Sequence, residues 1–583
     1  MKRKNFLYRM AVMTTVGVMA TTVLQPLTVQ AANFPNEYVN HKKALKHATL
    51  RVAYAADSPF RGVFMPFLND DVTTLAMASP GEVKLFKNDE NGKLVKGGFA
   101  DVKFDRKNKT ALVTVNKKTR WSDGEPVTSR DVAFTYEIVA NKDSGSPYYS
   151  SALENVVGVK EYHEGQADKI SGLEEKDERH LLIHFKEMSP TLEYVGSSSL
   201  YNDAQPYHYL KDVPFSELAQ SDKLRTHPLF FGPYQVKKVV QGESIEWVPN
   251  KYYGGPKPKL DKVVMEIVPT SLAAEAMRAN KYDMLLNTAT AGYSKLKKDK
   301  NLVTLGSLST DFTYLGFKVG YANDEGVSVM EPSLPTSDRT LRQAVAYAMN
   351  VKEVVDNVSN GVTKQANSVI SPAYGNYHDK KLKPYLYNLK KANKLLDKAG
   401  YKRGKDGYRT MPNGKKLTLT LLAAADDKTG EALRANYIQL WKKVGLKVKL
   451  YGGRSLDYNN FLKVLMSKNK NDFDLWINSW SLPEEPTSLP NFAYTPDSEF
   501  NYGHFVSKEN SELIASFNSP KAFNEKYRIE QMHKWQAYMQ KEAYIVPLTY
   551  NYDLQTVTKK VKGMNAKTGD KQLSFWDSVA LTK

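Results

Sequence analysis

Between residues 339 and 450 the apolar side chains switch repeatedly between helical and strand spacing, and this alternation narrows the fold more than any other feature. In the run Arg339–Asn350, residues Leu341, Ala344, Val345, Ala348 and Met349 recur at i, i+3, i+4, i+7 and i+8. That spacing is the stripe of a helix packed on a sheet. Asn350, with Glu353 three residues on, predicts a second capped helix whose buried face carries Val351, Val354, Val355 and Val358. A helix over 391–399 is stopped by Gly400. Strand Leu417–Leu421, a helix carrying Leu433, Tyr437 and Leu440, and strand Leu446–Leu450 then follow in order. Alternating one-sided helices and strands predict an α/β class, a sheet flanked by helices.

The remaining chain supplies further strands. Thr49–Tyr54 reads as a first strand entering a core, and strand-like alternation dominates residues 72–205, including Ala111–Val115 and His180–Phe185. Phe231–Trp247 reads as two strands around a Gln241-Gly242 turn. Val263, Met265 and Ile267 then alternate as a strand before a helix over 271–280, and Phe473–Trp480 is a buried-type strand ending at the turn Ser481–Pro486. At 583 residues, with 41% apolar and 11% aromatic side chains, the chain is a folded protein too long for one core. Two or three lobes are expected.

Lys2, Arg3, Lys4 and Arg9 precede an apolar stretch from Met10 to Leu24 and the small-residue ending at Ala31, which predicts a cleaved secretory leader over 1–31. Its apolar part is shorter than the roughly 20 residues of a membrane span. The sequence contains no cysteine, which excludes disulfides, thiolate metal sites, thiol nucleophiles and lipidation on cysteine. Net charge is +19, and removing the four basic residues of 1–31 leaves +15. Such a surplus favours anionic partners, here an anionic cell wall or membrane surface. The lysine pairs are scattered, no nucleic-acid module accompanies them, and no nucleic-acid partner is expected.

In Thr119–Glu137, Asp123-Gly124 is a tight-turn dipeptide, and Thr128 with Asp131 has capping-box spacing ahead of a helix with Val132, Tyr136 and Val139 on one face. This run resembles the hallmark of the bacterial extracellular solute-binding proteins of family 5, the oligopeptide-binding group. The Phe231-Gly-Pro-Tyr234 segment, the Arg342-Gln-Ala344 helix, the run Lys391–Tyr401 and the late strand ending at Trp480 are similar to the family's pattern, in its order.

The resemblance implies a two-lobed, periplasmic-binding-protein-like (type II) α/β fold with a third α+β domain inserted in the first lobe. The first lobe would comprise 48–71, 206–300 and 546–583, the inserted domain 72–205, and the second lobe 301–545. It implies a monomeric, non-enzymatic receptor that captures oligopeptides between its lobes and passes them to an ABC permease driven by separate ATPase subunits. Strand edges hydrogen-bond a peptide main chain whatever its side chains, so Ser479 and Ser481 are candidates for ladder bonds. Buried peptide ends need opposite charges. In relatives an acidic residue just after the late tryptophan meets the peptide amine; here that acidic pattern is not reproduced, and Glu484 or Glu485 is the candidate, against a solvated acidic turn. Trp480, Asn501 and Tyr502 line a pocket or belong to the core. Asp57 and Ser58, after the first strand, and Thr310, Asp311 and Phe312 are further candidates. Family relatives of Gram-positive type are tethered through a cysteine that this chain lacks.

No G-x-S-x-G elbow, H-E-x-x-H pair, phosphate loop or dinucleotide fingerprint occurs, and no cofactor is expected. His180 and His184 lie on a strand pattern and read as structural rather than metal-binding. Rival readings are a receptor for a peptide pheromone, a nickel chelate or a sugar oligomer, and a wall-associated adhesin of the same fold.

Overall fold

The computed structural model describes residues 34–69, 71–357, 359, 361–425, 428–467, 472–566 and 575–583. The expected leader lies outside the described residues. The chain forms two compact units, one of 34–307 with 553–583 and one of 308–552. Both transitions fall inside long strands, Leu302–Phe317 and Ile545–Thr558.

In the first unit, strand Thr49–Ala55 runs parallel to Lys262–Val268 on one side and to Met284–Leu286 on the other. Ser244–Pro249 and Tyr234–Val240 extend this sheet as a hairpin, with Gly242 at φ +76°, where glycine carries no steric penalty. Alternation divides the first strand between two cores. Val52 and Tyr54 join Trp247, Met265 and Trp576, whereas Ala53 and Ala55 meet Ala273, Ala274 and Met277 around helix Thr270–Arg278. Small side chains there let the helix lie close against the sheet.

Residues 100–184 of the same unit build a separate antiparallel layer. Its strands are, in order, Ala100–Asp105, Thr110–Val115, His180–His184 and Leu173–Asp177. Ala111, Val113, Leu181 and Ile183 on its inner face pack with Val132, Tyr136 and Val139 of helix Ser129–Ala140. The predicted cap is present: Thr128 accepts from Asp131 N, and Asp131 Oδ2 accepts from Thr128 N at 2.7 Å. Asp131, 2% exposed, also accepts from Trp121 Nε1 at 3.2 Å and Tyr207 N at 2.8 Å. His180 and His184 occupy one strand, four residues and therefore roughly 13 Å apart. Each faces a carboxylate, Asp177 and Glu174 respectively.

In the second unit, strand Leu475–Trp480 lies between the 312–317 part of Leu302–Phe317, to which it is antiparallel, and Leu419–Leu422, to which it is parallel. Val448–Leu450 pairs beyond Leu419–Leu422. Helices Arg339–Tyr347, Leu389–Lys398 and Lys428–Lys443 belong to this unit, and Trp441 Nε1 donates to Val345 O at 3.0 Å. Asn350 caps Val351–Asn357 as its spacing predicts, accepting from Glu353 N. Gly316 admits the Trp476 ring, because a Cβ there would fall 2.2 Å from it.

Candidate functional site

The late strand ends where several singled-out residues meet. Phe312, Thr313 and Tyr314 pair with Trp480, Ser479 and Asn478, and Thr313 Oγ1 and Ser479 Oγ lie 2.9 Å apart. Two residues further, the chain is clamped. Leu482 N donates to Asp311 Oδ1 at 3.0 Å, and Leu482 O accepts from Thr310 Oγ1 at 2.8 Å. Tyr374, from a different segment, donates its hydroxyl to Pro483 O at 2.7 Å. Burial, with Asp311, Glu485 and Glu484 nearby, holds that hydroxyl far above its ordinary pKa, so it acts as a donor. Thr310, Asp311 and Tyr374 therefore fix the direction in which the turn leaves the sheet.

On its other edge, the strand pairs with Leu419–Leu422 only at Leu475 and Trp476. Among the described residues no strand continues the ladder along Ile477–Trp480 on that side. Unpaired edge groups are a template for another extended chain. Ser479 is half-buried there, and Ser481 is exposed.

Glu484 and Glu485 separate. Glu484 is half-buried, whereas Glu485 is 2% exposed, and its carboxylate accepts from Arg528 Nη2 at 2.7 Å and from Thr487 N at 2.8 Å. Arg528, on helix Glu525–Glu542, is 0% exposed. Arg528, Thr487 and Ser488 together hold this buried carboxylate within the turn, where the sequence had offered it as a partner for a peptide amine. Sequence reasoning missed Arg528 because nothing local ties it to a glutamate 43 residues earlier; Glu485 lying between two prolines was the one available hint of a shaped turn.

Trp480 is 1% exposed, its ring stacked between Tyr314 and Tyr502 at centroid distances of 5.9 and 5.5 Å, with Phe492 edge-on. Asn501 turns inward and donates to Phe505 O at 2.9 Å. The cavity bordered by Trp480, Asn501, Tyr502 and their neighbours measures about 10 Å³. That volume holds no side chain, so of the two readings of this trio the core is the one observed. Phe312 is buried as well. In the first unit, Asp57 is exposed and its Oδ1 accepts from Thr270 N at 2.9 Å at the start of helix Thr270–Arg278; Ser58 is exposed beside it.

Among the described residues, no group of three or more histidine or acidic side chains is arranged to hold a metal ion, and no helix is long and apolar enough to cross a membrane.

Comparison with known proteins bears on these features together. The chain is 37% identical over 563 residues to the oligopeptide-binding protein OppA of Lactococcus lactis subsp. cremoris, covering 95% of this chain and 93% of that one. It is 25% identical over 455 residues to the oligopeptide-binding protein AppA of Bacillus subtilis, covering 76% and 74% respectively. Its structure is similar to that of lactococcal OppA complexed with an endogenous peptide in the closed conformation. The TM-score is 0.74 at 36% identity, with 91% of this chain and all of that chain covered. This likeness gives the type II periplasmic-binding-protein fold class expected from the sequence. The family model described as bacterial extracellular solute-binding proteins, family 5 Middle, matches residues 96–502, from the antiparallel layer through the clamped turn to Tyr502. A match of that extent, together with near full-length identity to OppA, makes the chain a member of the bacterial extracellular solute-binding proteins, family 5.

Proposed function

We propose that this protein is the extracellular substrate-binding component of an ABC importer, and that it captures oligopeptides and hands them to a permease unchanged. The observation that carries the reading is 37% identity over nearly its whole length to a protein named for oligopeptide binding. The late strand gives it a mechanism. An extended peptide laid along Ile477–Trp480 would pair with main-chain groups of Ser479 and Ser481, gaining affinity without regard to its side chains. Glu484 and Asp311 supply negative charge beside that edge and are assigned to the peptide's amino terminus. Residues 72–205 act as an inserted domain of the first lobe, the leader 1–31 is removed on export, and the receptor works as a monomer with its permease and ATPase subunits.

Calorimetry with a mixed peptide library tests this. Binding without product formation is expected, and Glu484→Gln should weaken it at neutral pH while leaving the melting temperature unchanged. Glu485→Gln should instead lower the melting temperature. A purified protein that gains no thermal stability from any peptide pool, and carries none when examined by native mass spectrometry, would overturn the proposal.

A further inference from the structure

The loop ahead of helix Leu389–Lys398 displays two apolar side chains in a strongly basic setting. Leu386 is 56% exposed and Tyr387 is 36% exposed. Among the described residues, the other large apolar side chains exposed to this degree stand singly along the chain; these two are adjacent. Isolated exposed apolar residues are ordinary, but a paired display needs a cause.

The loop is held in place. Tyr385 donates its hydroxyl to Gln540 O, its ring meets Tyr347 edge-on at 4.9 Å, and Gln540 Nε2 donates to Lys383 O. Immediately after the pair, Asn388 N donates to Tyr347 O at 2.8 Å, and Asn388 Oδ1 caps the helix through Lys391 N at 2.8 Å. Leu386 and Tyr387 thus stand outward between two fixed points, while Tyr385 takes the inward position.

Charge surrounds them. Lys380, Lys381 and Lys383 precede the pair, and none of the three is buried. The following helix turns Ala392 and Leu396 inward and leaves Lys390, Lys391, Lys394 and Lys398 outside. Against these seven lysines, residues 380–398 hold one acidic side chain, Asp397, a net +6, and its carboxylate is bonded to Arg409.

We propose that this loop and helix face form a docking surface for an anionic phospholipid bilayer. Tyrosine is favoured at the headgroup level, leucine gains by entering the acyl boundary, and long lysine side chains reach phosphate while their stems cover apolar surface. A wall polyanion would satisfy the lysines but gives Leu386 and Tyr387 nothing to enter, which decides between the two. Such a surface holds the protein near a membrane reversibly, in a chain with no cysteine for a lipid anchor. The inference does not depend on which solute the receptor carries.

Vesicle flotation tests it, using the full chain expressed in a secreting host and recovered as processed, its N-terminus read by mass spectrometry. The protein should float with phosphatidylglycerol vesicles and not with phosphatidylcholine vesicles. Lys380→Gln, Lys381→Gln and Lys383→Gln together should lower the partition coefficient by about fivefold per lysine, whereas the exposed pair Lys117→Gln and Lys118→Gln should change it far less. Leu386→Ser with Tyr387→Ser should weaken vesicle binding while leaving retention on soluble polyphosphate unchanged. None of the substituted side chains is buried and the main-chain bonds at Lys383 and Asn388 remain, so an unchanged melting temperature confirms folding; Leu386→Ala with Tyr387→Ala serves if it shifts. Equal flotation on both lipids, equal loss from the Lys117 and Lys118 pair, or undiminished binding without Leu386 and Tyr387 overturns the proposal. Peptide binding is unaffected in every variant, which separates this outcome from the fate of the receptor reading.

Discussion

Two regions each join a buried tryptophan to a buried carboxylate, and they solve the problem differently. In the first unit, Trp121 and Asp131 lie ten residues apart and bond directly, and the remaining donors to Asp131 are main-chain N–H groups and the Thr128 hydroxyl. Every partner is neutral, so burial dominates and the carboxyl sits above its ordinary pKa. In the second unit, Glu485 is neutralised by Arg528, and Trp480 is held by rings stacked on both its faces. Short-range hydrogen bonding organises one region, long-range charge pairing and ring packing the other.

The largest test of that contrast is Arg528→Met. It strands a buried carboxylate, and urea denaturation should show a loss of about 3–5 kcal/mol, most of it regained when Glu485→Gln is added. A loss under about 1 kcal/mol would mean that the pair does not hold the turn.

Acid separates the two regions next. Burial, with Lys318 beside it, pushes the His504 imidazole down to about 4 from 6.5. Stability from a depressed folded pKa is present above the unfolded value and is lost as pH falls through the folded one, so His504 withdraws up to about 3 kcal/mol between pH 6.5 and 4, while the Asp474 carboxyl of the same unit, raised by burial to about 6, gains over that range and offsets it. Asp131 is raised from 3.8, so its contribution has the opposite sign: full below the unfolded value, lost as pH rises through the folded one. Hydrogen exchange followed by mass spectrometry down this range should show the segment around His504 opening before the segment around Asp131, and His504→Asn, which tolerates the φ of +52° there, should remove the difference. Equal opening of both segments in the wild type would contradict it.

Paired tryptophan substitutions give a smaller effect. Trp121→Phe and Trp480→Phe remove the same ring volume, but only the first breaks a hydrogen bond to a carboxylate, so it should cost about 1–2 kcal/mol more by denaturant midpoint. Smallest is Thr128→Ala, about 1 kcal/mol for the lost cap, with no matching position in the turn after Trp480.

The same contrast explains what was readable in advance. Thr128 and Asp131, Asn350 and Glu353, and the one-sided stripe of Arg339–Tyr347 are local codes, because partners three or four residues apart meet on any helix. The candidates around the late strand were legible as a cluster, since strand order places Phe312 beside Trp480, yet their roles were not. Whether an aromatic at a strand end faces a pocket or packs inward depends on Tyr314 and Tyr502, which come from other parts of the chain. The transitions at 307/308 and 552/553 fall inside strands, where no turn residue marks them.

By itself, the sequence determined the α/β alternation, the caps, the family and thereby the kind of ligand to test, since each follows from side-chain spacing along a continuous stretch. The tertiary structure alone decided that Glu485 pairs with Arg528, that Trp480 is core, and that among the described residues the ladder stops at Trp476 on one edge. Those outcomes rest on contacts between residues far apart in the chain, and a buried charge or an open strand edge is defined only by what comes to lie beside it.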